Sequence, residues 1–258
     1  MENHQDRIIN QFTSQAGPFS SAPAIKRRED LDLLISITQA SKADTVLDVA
    51  CSPGIVVCAF AAVVGRAVGI DITPAMIEQA RRLQAEKKLS NVEWRIGDIA
   101  SLPFEDASFS VVVSRFAFHH LNNPLQVLRE MKRVCKKGGQ VLLADTVASP
   151  VAQQAAAFDQ MERLRDPSHV RLLSLVQMKA LFEQAGLPVL KSSFYEMKTE
   201  LKKLLEVSFP NPGDANRVRT IVTNAIGKDT LGATVQRKGE KIIFSYPIAV
   251  LVAENTPG

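Results

Sequence analysis

The sequence contains few cysteines, and they follow no recognised pattern. Among its 258 residues only Cys51, Cys58 and Cys135 are cysteine, and their spacing fits neither a disulfide framework nor a zinc site. Isolated thiols are typical of a reducing compartment, so we expect a cytoplasmic protein rather than a secreted one. The polar and acidic first residues also differ from a signal peptide.

A convincing transmembrane segment is missing as well. Residues 49–65 carry no charge, but the stretch extends for only about 17 positions, which is marginal for crossing a bilayer. Ser52, Pro53 and Gly54 interrupt it near its start. A turn followed by a fully buried helix explains this stretch better, and no membrane association is expected.

The chain also lacks a large excess of one charge sign. Its formal net charge is +4 and its pI is about 9.0, without an arginine-rich run or an aromatic stacking pattern. A dedicated nucleic-acid binder carries a stronger basic signal, so no nucleic-acid partner is expected. The histidines, cysteines and carboxylates show no spacing typical of metal ligands, so no metal is expected either.

Short apolar segments alternate with helical patterns through the first 150 residues. Thr73 with Pro74 and Asn123 with Pro124 are typical helix starts. The alternation predicts a mostly parallel α/β sheet covered on both faces. The predicted strands are residues 46–49, 67–70, 91–96, 109–114, 140–144, 189–194 and 242–253.

Polar or glycine-bearing residues stand at four successive strand ends, where such sheets bind ligands. Residues 48–54 form a tight turn of small residues before a helix, and Asp71 follows about twenty residues later, a spacing that suits a ribose. Asp98 with Ile99 offers an acceptor for an amine beside an apolar face for a purine. Residues 114–116 are the fourth end. Taken singly each is an ordinary turn or capping residue, but together they predict a nucleoside site.

Five segments carry a resemblance to a known family. They are residues 46–54 (VLDVACSPG), 69–76 (GIDITPAM), 97–104 (GDIASLPF), 116–121 (FAFHHL) and 128–134 (LREMKRV). Across roughly residues 10–190 the chain resembles the class I S-adenosylmethionine-dependent methyltransferases, specifically the UbiE-like ubiquinone and menaquinone branch. The resemblance implies a Rossmann-like, doubly wound α/β fold with a seven-stranded, mostly parallel sheet whose last strand is antiparallel.

The resemblance also implies a domain plan. A helical cap is expected at residues 1–44, and an S-adenosylmethionine-binding domain at residues 45–258. The length of residues 195–240 and the loop within them suggest a lid or substrate insertion.

The cofactor implied by the resemblance is S-adenosylmethionine, with S-adenosylhomocysteine as its product. Asp71 is expected to hold the ribose, Ile72 and Ile99 to flank the adenine, and Asp98 to bind its amine. The expected cofactor residues are Asp48, Ala50, Ser52, Gly54, Asp71, Ile72, Met76, Asp98, Ile99 and Arg115. Ala50 and Ser52 stand where the family usually has glycine, and the serine is the rarer replacement. The serine side chain must fit against the cofactor or force the loop outward, which is expected to cost about 1 kcal/mol or more.

Histidines are the candidates for a catalytic base. His119 and His169 are predicted as bases, whereas His120 is more typical of a packed structural histidine at the pocket wall. An apolar substrate pocket is expected around these residues, although an aromatic stripe is also typical of a core. Its predicted members are Phe12, Phe19, Phe116, His120 and Met161.

These residues favour methyl transfer to a small, flat or partly hydrophobic acceptor at a carbon, oxygen or nitrogen atom. The alternative is a protein of the same fold that binds S-adenosylmethionine without methylating. A nicotinamide-dependent dehydrogenase is disfavoured because the first turn lacks G-x-G-x-x-G. A nucleic-acid methyltransferase is disfavoured because residues 114–117 are not a proline-rich base-flipping tetrad.

Overall fold

Strands and helices alternate along residues 3–256, the part of the chain that the computed structural model describes. Residues 1–2, at the start of the first expected domain, and residues 257–258, at the end of the second, lie outside it. The strands are β1 (Thr45–Val49), β2 (Arg66–Asp71), β3 (Val92–Ile96), β4 (Phe109–Arg115), β5 (Cys135–Ala148), β6 (Leu173–Ser174), β7 (Val189–Glu200), β8 (Thr234–Lys238) and β9 (Lys241–Glu254). The α-helices are α1 (His4–Ser21), α2 (Arg28–Thr38), α3 (Ile55–Ala61), α4 (Pro74–Glu86), α5 (Pro124–Val134), α6 (Ala152–Arg165), α7 (Leu175–Gln184), α8 (Leu201–Glu206) and α9 (Asp214–Asn224). Short 3₁₀ helices occupy Pro23–Lys26 and Phe118–His120.

The main sheet has the order β3-β2-β1-β4-β5-β9-β7. Strands β1 to β5 pair in parallel, and β9 pairs antiparallel with both β5 and β7. The predicted mostly parallel sheet with an antiparallel last strand is therefore confirmed. Two strands add to the seven expected, because β6 pairs with β5 and β8 with β9. The chain passes from β3 at one edge to β4 on the far side of β1, so the order reverses between β1 and β4. A crevice for a ligand opens at such a reversal.

Both faces of the sheet are buried under helices. Leu47 and Val112 belong to one buried cluster with Leu128 of α5, whereas Val46 and Val111 pack with the helices of the other face. Because neighbouring residues of one strand face opposite layers, both must be apolar. This explains why the central strands read as continuous apolar runs.

A third buried cluster lies beyond the main sheet and joins the late helices to the extended ends of β7 and β9. It includes Phe158 of α6, Val218 of α9 and Phe244 of β9. Strand β7 continues to Glu200 because it pairs with β9 along nearly its whole length. Much of the segment expected as a lid, residues 195–240, is thus regular structure.

Strand β8 was not anticipated from the sequence, and its composition shows why. Only Val235 is buried, and its other four residues are exposed. It pairs with β9 through its backbone, and such a polar outer strand lacks the alternation of a half-buried one. None of the helices in residues 3–256 has the length and apolar character needed to cross a membrane.

Candidate active site

Two adjoining cavities open at the carboxyl ends of β1 and β4. The smaller has a volume of about 330 Å³ and the larger about 540 Å³. Phe12, Ser52, Phe116 and His120 line both cavities. A ligand in one cavity therefore lies directly beside a ligand in the other.

The smaller cavity contains the carboxylates expected at the strand ends. Asp71 lines it and is almost buried. Its Oδ2 accepts a hydrogen bond from Ser52 N at 2.9 Å, and its Oδ1 accepts one from Thr73 N at 2.8 Å. Burial raises the pKa of Asp71, and these backbone hydrogen bonds oppose the increase. The carboxylate is thus fixed at the cavity wall and keeps lone pairs for two hydroxyl groups.

Apolar and acidic groups complete the wall of the smaller cavity. Ile72 and Ile99 line it together with Ala50 and Asp98. Asp98 Oδ1 accepts a hydrogen bond from Ala100 N at 2.8 Å, which fixes its carboxylate. A ribose beside Asp71 and a purine between the two isoleucines fit this set of groups.

The turn after β1 is strained. Ala50 and Ser52 have φ values of +60° and +49°, in the left-handed region that favours glycine. Phe116, which follows β4, has a φ of +59°. Non-glycine residues persist in this region where the surroundings hold them, commonly at ligand sites. The sequence departure at Ser52 is therefore accommodated with backbone strain and without loss of the turn.

Helix α1 covers both cavities. His4, Gln5 and Ile8 line the smaller one, and Phe19 lines the larger. His4 Nε2 lies 2.7 Å from the carbonyl oxygen of His120. Nothing in the sequence indicated a role for this terminal residue.

Two buried glutamines fasten α1 to the late part of the chain. Gln11 Nε2 donates to Ser208 O at 2.5 Å. Gln15 Nε2 lies 3.2 Å from both Ser208 O and Asp166 Oδ2. Helix α1 is thus held on its inner face by Ser208 and by Asp166, of which Asp166 lines the larger cavity.

A histidine–carboxylate pair stands in the larger cavity. His119 lines the cavity, and its Nδ1 lies 2.6 Å from Oδ1 of Asp145 in β5. Asp145 Oδ2 also accepts a hydrogen bond from His119 N at 3.2 Å. Burial opposes the charged form of His119, but Asp145 outweighs it and raises the pKa of the imidazole. Burial likewise opposes ionisation of Asp145, but His119 holds its pKa below the usual range.

His120 has a different environment. Its Nδ1 lies 3.0 Å from Ser168 Oγ, and the ring contacts Phe12 edge-on at 5.0 Å between centroids. Burial and the neighbouring His119 lower the pKa of His120, so it is held neutral. Its place at the wall of both cavities and its fixed hydrogen bond agree with a structural pocket residue.

Buried charges line another wall of the larger cavity. Glu162 accepts hydrogen bonds from Arg165 Nε at 2.9 Å, from Arg165 Nη2 at 2.6 Å and from Tyr246 Oη at 2.8 Å. Arg165 Nη1 donates to Ser208 Oγ at 3.1 Å. Burial opposes ionisation of Glu162, but Arg165 holds its pKa below the usual range.

Five of the sequence-predicted site residues do not line either cavity. His169 is buried with Nε2 2.8 Å from Asp159 Oδ1, and Met161 is fully buried in the third cluster. Asp48 is buried inside β1, where burial and Asp71 raise its pKa well above the usual range. Gly54 ends the turn, where a Cβ would overlap Trp94, and Met76 is fully buried in α4. The side chains of the other four residues are directed into the packed layers, so they support the cavity walls from behind.

Arg115 lines the larger cavity and not the smaller one. Its Nη1 donates to Ile25 O at 2.9 Å, and its Nη2 lies 3.8 Å from Asp30 Oδ2. Its guanidinium also stacks over the Phe116 ring at 4.4 Å. Arg115 therefore joins β4 to the N-terminal cap. The sequence predicted only a cofactor-binding role for Arg115 and did not predict this contact.

Three residues of the site were missed by sequence reasoning. Asp145 directly follows the predicted fifth strand, residues 140–144, so a carboxylate at a predicted strand end was a usable signal, although β5 continues to Ala148 in the structure. Glu162 and Arg165 lie on α6, whose apolar residues form no clear stripe. Their contacts depend on tertiary packing, and no local pattern identifies them.

Comparisons with known proteins agree with this geometry. A family model described as a methyltransferase domain matches residues 47–143. The uncharacterized methyltransferase YcgJ of Bacillus subtilis is 30% identical over 238 residues, which cover 90% of this chain and 93% of that protein. The chain belongs to the class I methyltransferase family.

Solved structures show the same relationship. The crystal structure of YcgJ superimposes with a TM-score of 0.81 at 28% identity, covering 90% of this chain and all of that one. A putative methyltransferase from Bacillus halodurans gives 0.81 at 25% identity, with 89% of this chain and 100% of that one covered. The demethylmenaquinone methyltransferase of Listeria monocytogenes is 35% identical over 123 residues, which are 46% of this chain and 50% of that protein.

Proposed function

We propose that this protein transfers the methyl group of S-adenosylmethionine to a small, flat or partly hydrophobic acceptor. The proposal rests on one observation: the two cavities adjoin, because Ser52, Phe116 and His120 line both of them. One cavity offers groups that fit a nucleoside, and the other offers a histidine–carboxylate pair within apolar walls. Methyl transfer requires this adjacency, because donor and acceptor must be aligned without water between them.

The smaller cavity would hold the adenosine part of the cofactor. Asp71 would bind the ribose hydroxyls, Asp98 the adenine amine, and Ile72 and Ile99 the ring faces. The turn at residues 50–54 would direct the methionine part towards the larger cavity, since Ser52 lines both. The cofactor itself supplies an activated methyl group, and the side chains bind it and exclude water.

The acceptor is proposed to be a small molecule, as in the UbiE-like branch. Support comes from the relative named as a demethylmenaquinone methyltransferase and from the aromatic wall formed by Phe12, Phe19 and Phe116. No nucleic-acid partner and no membrane association are proposed. The proposed compartment is the cytoplasm, and no metal is assigned to the reaction.

The proposed domain plan follows the cavity walls. Residues 1–44 form a cap whose α1 covers both cavities, and the remainder is the cofactor-binding domain. Within it, residues 197–207 contribute wall residues to the larger cavity, including Met197 and Leu204. We assign residues 195–240 to the substrate side of the site.

A second candidate function is cofactor binding without methyl transfer. Its support is the left-handed backbone of Ser52, where a side chain stands at the position that guides the methionine part. Calorimetric titration with S-adenosylmethionine, after mass spectrometry for co-purified nucleosides, tests the binding step. A labelled-methyl assay over phenols, quinols and heterocycles then tests the transfer step.

The outcomes separate the two candidates. Micromolar binding with label in a product supports the methyltransferase. Micromolar binding without transfer to any acceptor class favours the second candidate. If neither S-adenosylmethionine nor S-adenosylhomocysteine binds, both are wrong and only the fold assignment remains.

A further inference from the structure

We infer that the acceptor is a hydroxyl compound that reacts as its oxyanion, with His119 accepting the proton, Asp145 positioning His119 and Arg165 binding the oxygen-bearing side of the acceptor. This inference rests on the proposed methyl transfer and narrows its acceptor class. It goes beyond the family relationship, because the comparisons describe the methyltransferase domain as a whole and give these three side chains no role.

The imidazole of His119 has a fixed orientation. Asp145 engages Nδ1 at 2.6 Å, so Nε2 is the ring nitrogen left for a ligand. The imidazole lines the larger cavity with 11% of its side chain accessible, whereas the Asp145 side chain is only 1% accessible. A buried carboxylate behind an imidazole stabilises the imidazolium that forms when Nε2 takes a proton.

His119 differs from the two neighbouring histidines in its hydrogen-bond partner and in its access to the cavity. His120 is fixed by Ser168 Oγ at 3.0 Å, and within residues 3–256 no carboxylate is hydrogen-bonded to its ring. His169 has Asp159 at 2.8 Å, but its side chain is fully buried and lines neither cavity. His119 therefore combines a carboxylate partner with access to the acceptor.

Arg165 keeps N–H donors that could bind an acceptor oxygen. A guanidinium has five N–H donors. Among the described residues, Glu162 engages Nε and Nη2, and Ser208 engages Nη1, which leaves one donor on each terminal nitrogen. Arg165 lines the same cavity as His119, with 12% of its side chain accessible. Arg165 Nη1 also lies 3.8 Å from Asp166 Oδ2, so the guanidinium is paired with carboxylates as well. Its spare N–H donors in the cavity wall favour an acceptor oxygen that carries negative charge.

The chemistry balances without any further reactant. The acceptor hydroxyl gives its proton to His119 Nε2 and keeps the electron pair on oxygen. That pair forms a bond to the methyl carbon at the oxygen, or at a conjugated carbon of the same anion, as the carbon–sulfur bond breaks and its pair stays on sulfur. After methylation at oxygen, the imidazolium releases its proton to solvent when the products leave. After methylation at a ring carbon, the ring proton is lost and the oxygen takes back a proton, so one proton in total is released in either case. Phenols and enols meet this requirement, whereas tertiary amines and thioethers have no such proton.

The test uses 4-nitrophenol, whose neutral and ionised forms absorb at different wavelengths. Protein saturated with S-adenosylhomocysteine is titrated with 4-nitrophenol across a pH series, so that ionisation is read without methyl transfer. In the wild type we expect the ionisation midpoint of the bound probe to fall, with an ionisation constant at least about tenfold above that of free probe.

The variants are His119→Gln, Asp145→Asn and Arg165→Lys, and the matched control is Asp159→Asn. The control removes the carboxylate of the other buried histidine pair, outside both cavities. His119→Gln should remove most of the shift in the ionisation midpoint, and Asp145→Asn and Arg165→Lys should each remove part of it. Asp159→Asn should keep the wild-type midpoint even where its stability falls.

Three results would overturn the inference. They are a wild-type protein that binds S-adenosylhomocysteine but not the probe, a bound probe that stays neutral, and an equal shift in His119→Gln. If S-adenosylhomocysteine itself does not bind, the proposed function fails first and this inference fails with it. Circular dichroism of each variant checks that folding is intact, and Asp145→Asn replaces His119→Gln if the latter does not fold.

Discussion

Ala50→Gly is expected to stabilise the protein, although an alanine-to-glycine change normally does the reverse. Ala50 has a φ of +60°, and an L-residue in this region costs about 1–2 kcal/mol that glycine avoids. Glycine in turn loses about 0.5–1 kcal/mol through the greater freedom of the unfolded chain. The expected net gain is about 0.5 kcal/mol, or roughly 1–2 °C in Tm for a chain of this length.

The matched control is Ala156→Gly. Ala156 is an exposed residue inside α6, where the same change should cost about 1 kcal/mol. Urea unfolding of both variants should therefore place their free energies of unfolding about 1.5 kcal/mol apart, on opposite sides of the wild type. Equal losses in both variants would refute the argument that the turn after β1 is strained.

Four further outcomes follow from the same structure. Asp71→Ala should weaken S-adenosylmethionine binding by roughly 1–3 kcal/mol, and calorimetry showing wild-type affinity would contradict its role. Phe158→Ala should lower the free energy of unfolding by about 3–5 kcal/mol because it empties the centre of the third cluster; urea unfolding measures this, and a loss below about 1 kcal/mol would mean that the cluster collapses around the gap. Asp145→Asn should cost most stability at mildly acidic pH, where both partners are charged. The raised pKa of His119 means that its contribution is lost as pH rises through that pKa, and a pH-independent cost would count against the ion pair. Limited proteolysis at residues 209–214 should slow when the cofactor binds, and unchanged cleavage there would argue against a substrate-side role for residues 195–240.

Much of the fold was predictable because its signals are local. The apolar runs of β1, β2, β4 and β5 and the Asn123–Pro124 helix start each depend on a few neighbouring residues. The capping box of α7 is another such signal, and it is present with both hydrogen bonds. Strand β8 escaped prediction because its stabilisation comes from pairing with β9, which the sequence does not display.

The site was predictable to the extent that strand ends meet at one edge of a sheet. Asp71 and Asp98 therefore lie beside the same cavity, as their positions after β2 and β3 indicated. His169 looked equivalent to His119, but packing turned its ring into the protein, so of these two predicted bases only His119 lines a cavity. The pairing of His119 with Asp145 could not be read from the sequence, because 26 residues separate the two side chains along the chain.

The position of Phe12 in the walls of both cavities has a thermodynamic consequence. A cofactor that packs on Phe12 also fixes that part of the acceptor cavity wall, so the second ligand loses less conformational entropy on binding. We expect positive heterotropic cooperativity, in which S-adenosylhomocysteine and the acceptor each raise the affinity of the other by the same factor. With such coupling we expect the ternary complex to be favoured over either binary complex, and the acceptor to bind more tightly once the methyl donor or its product is in place.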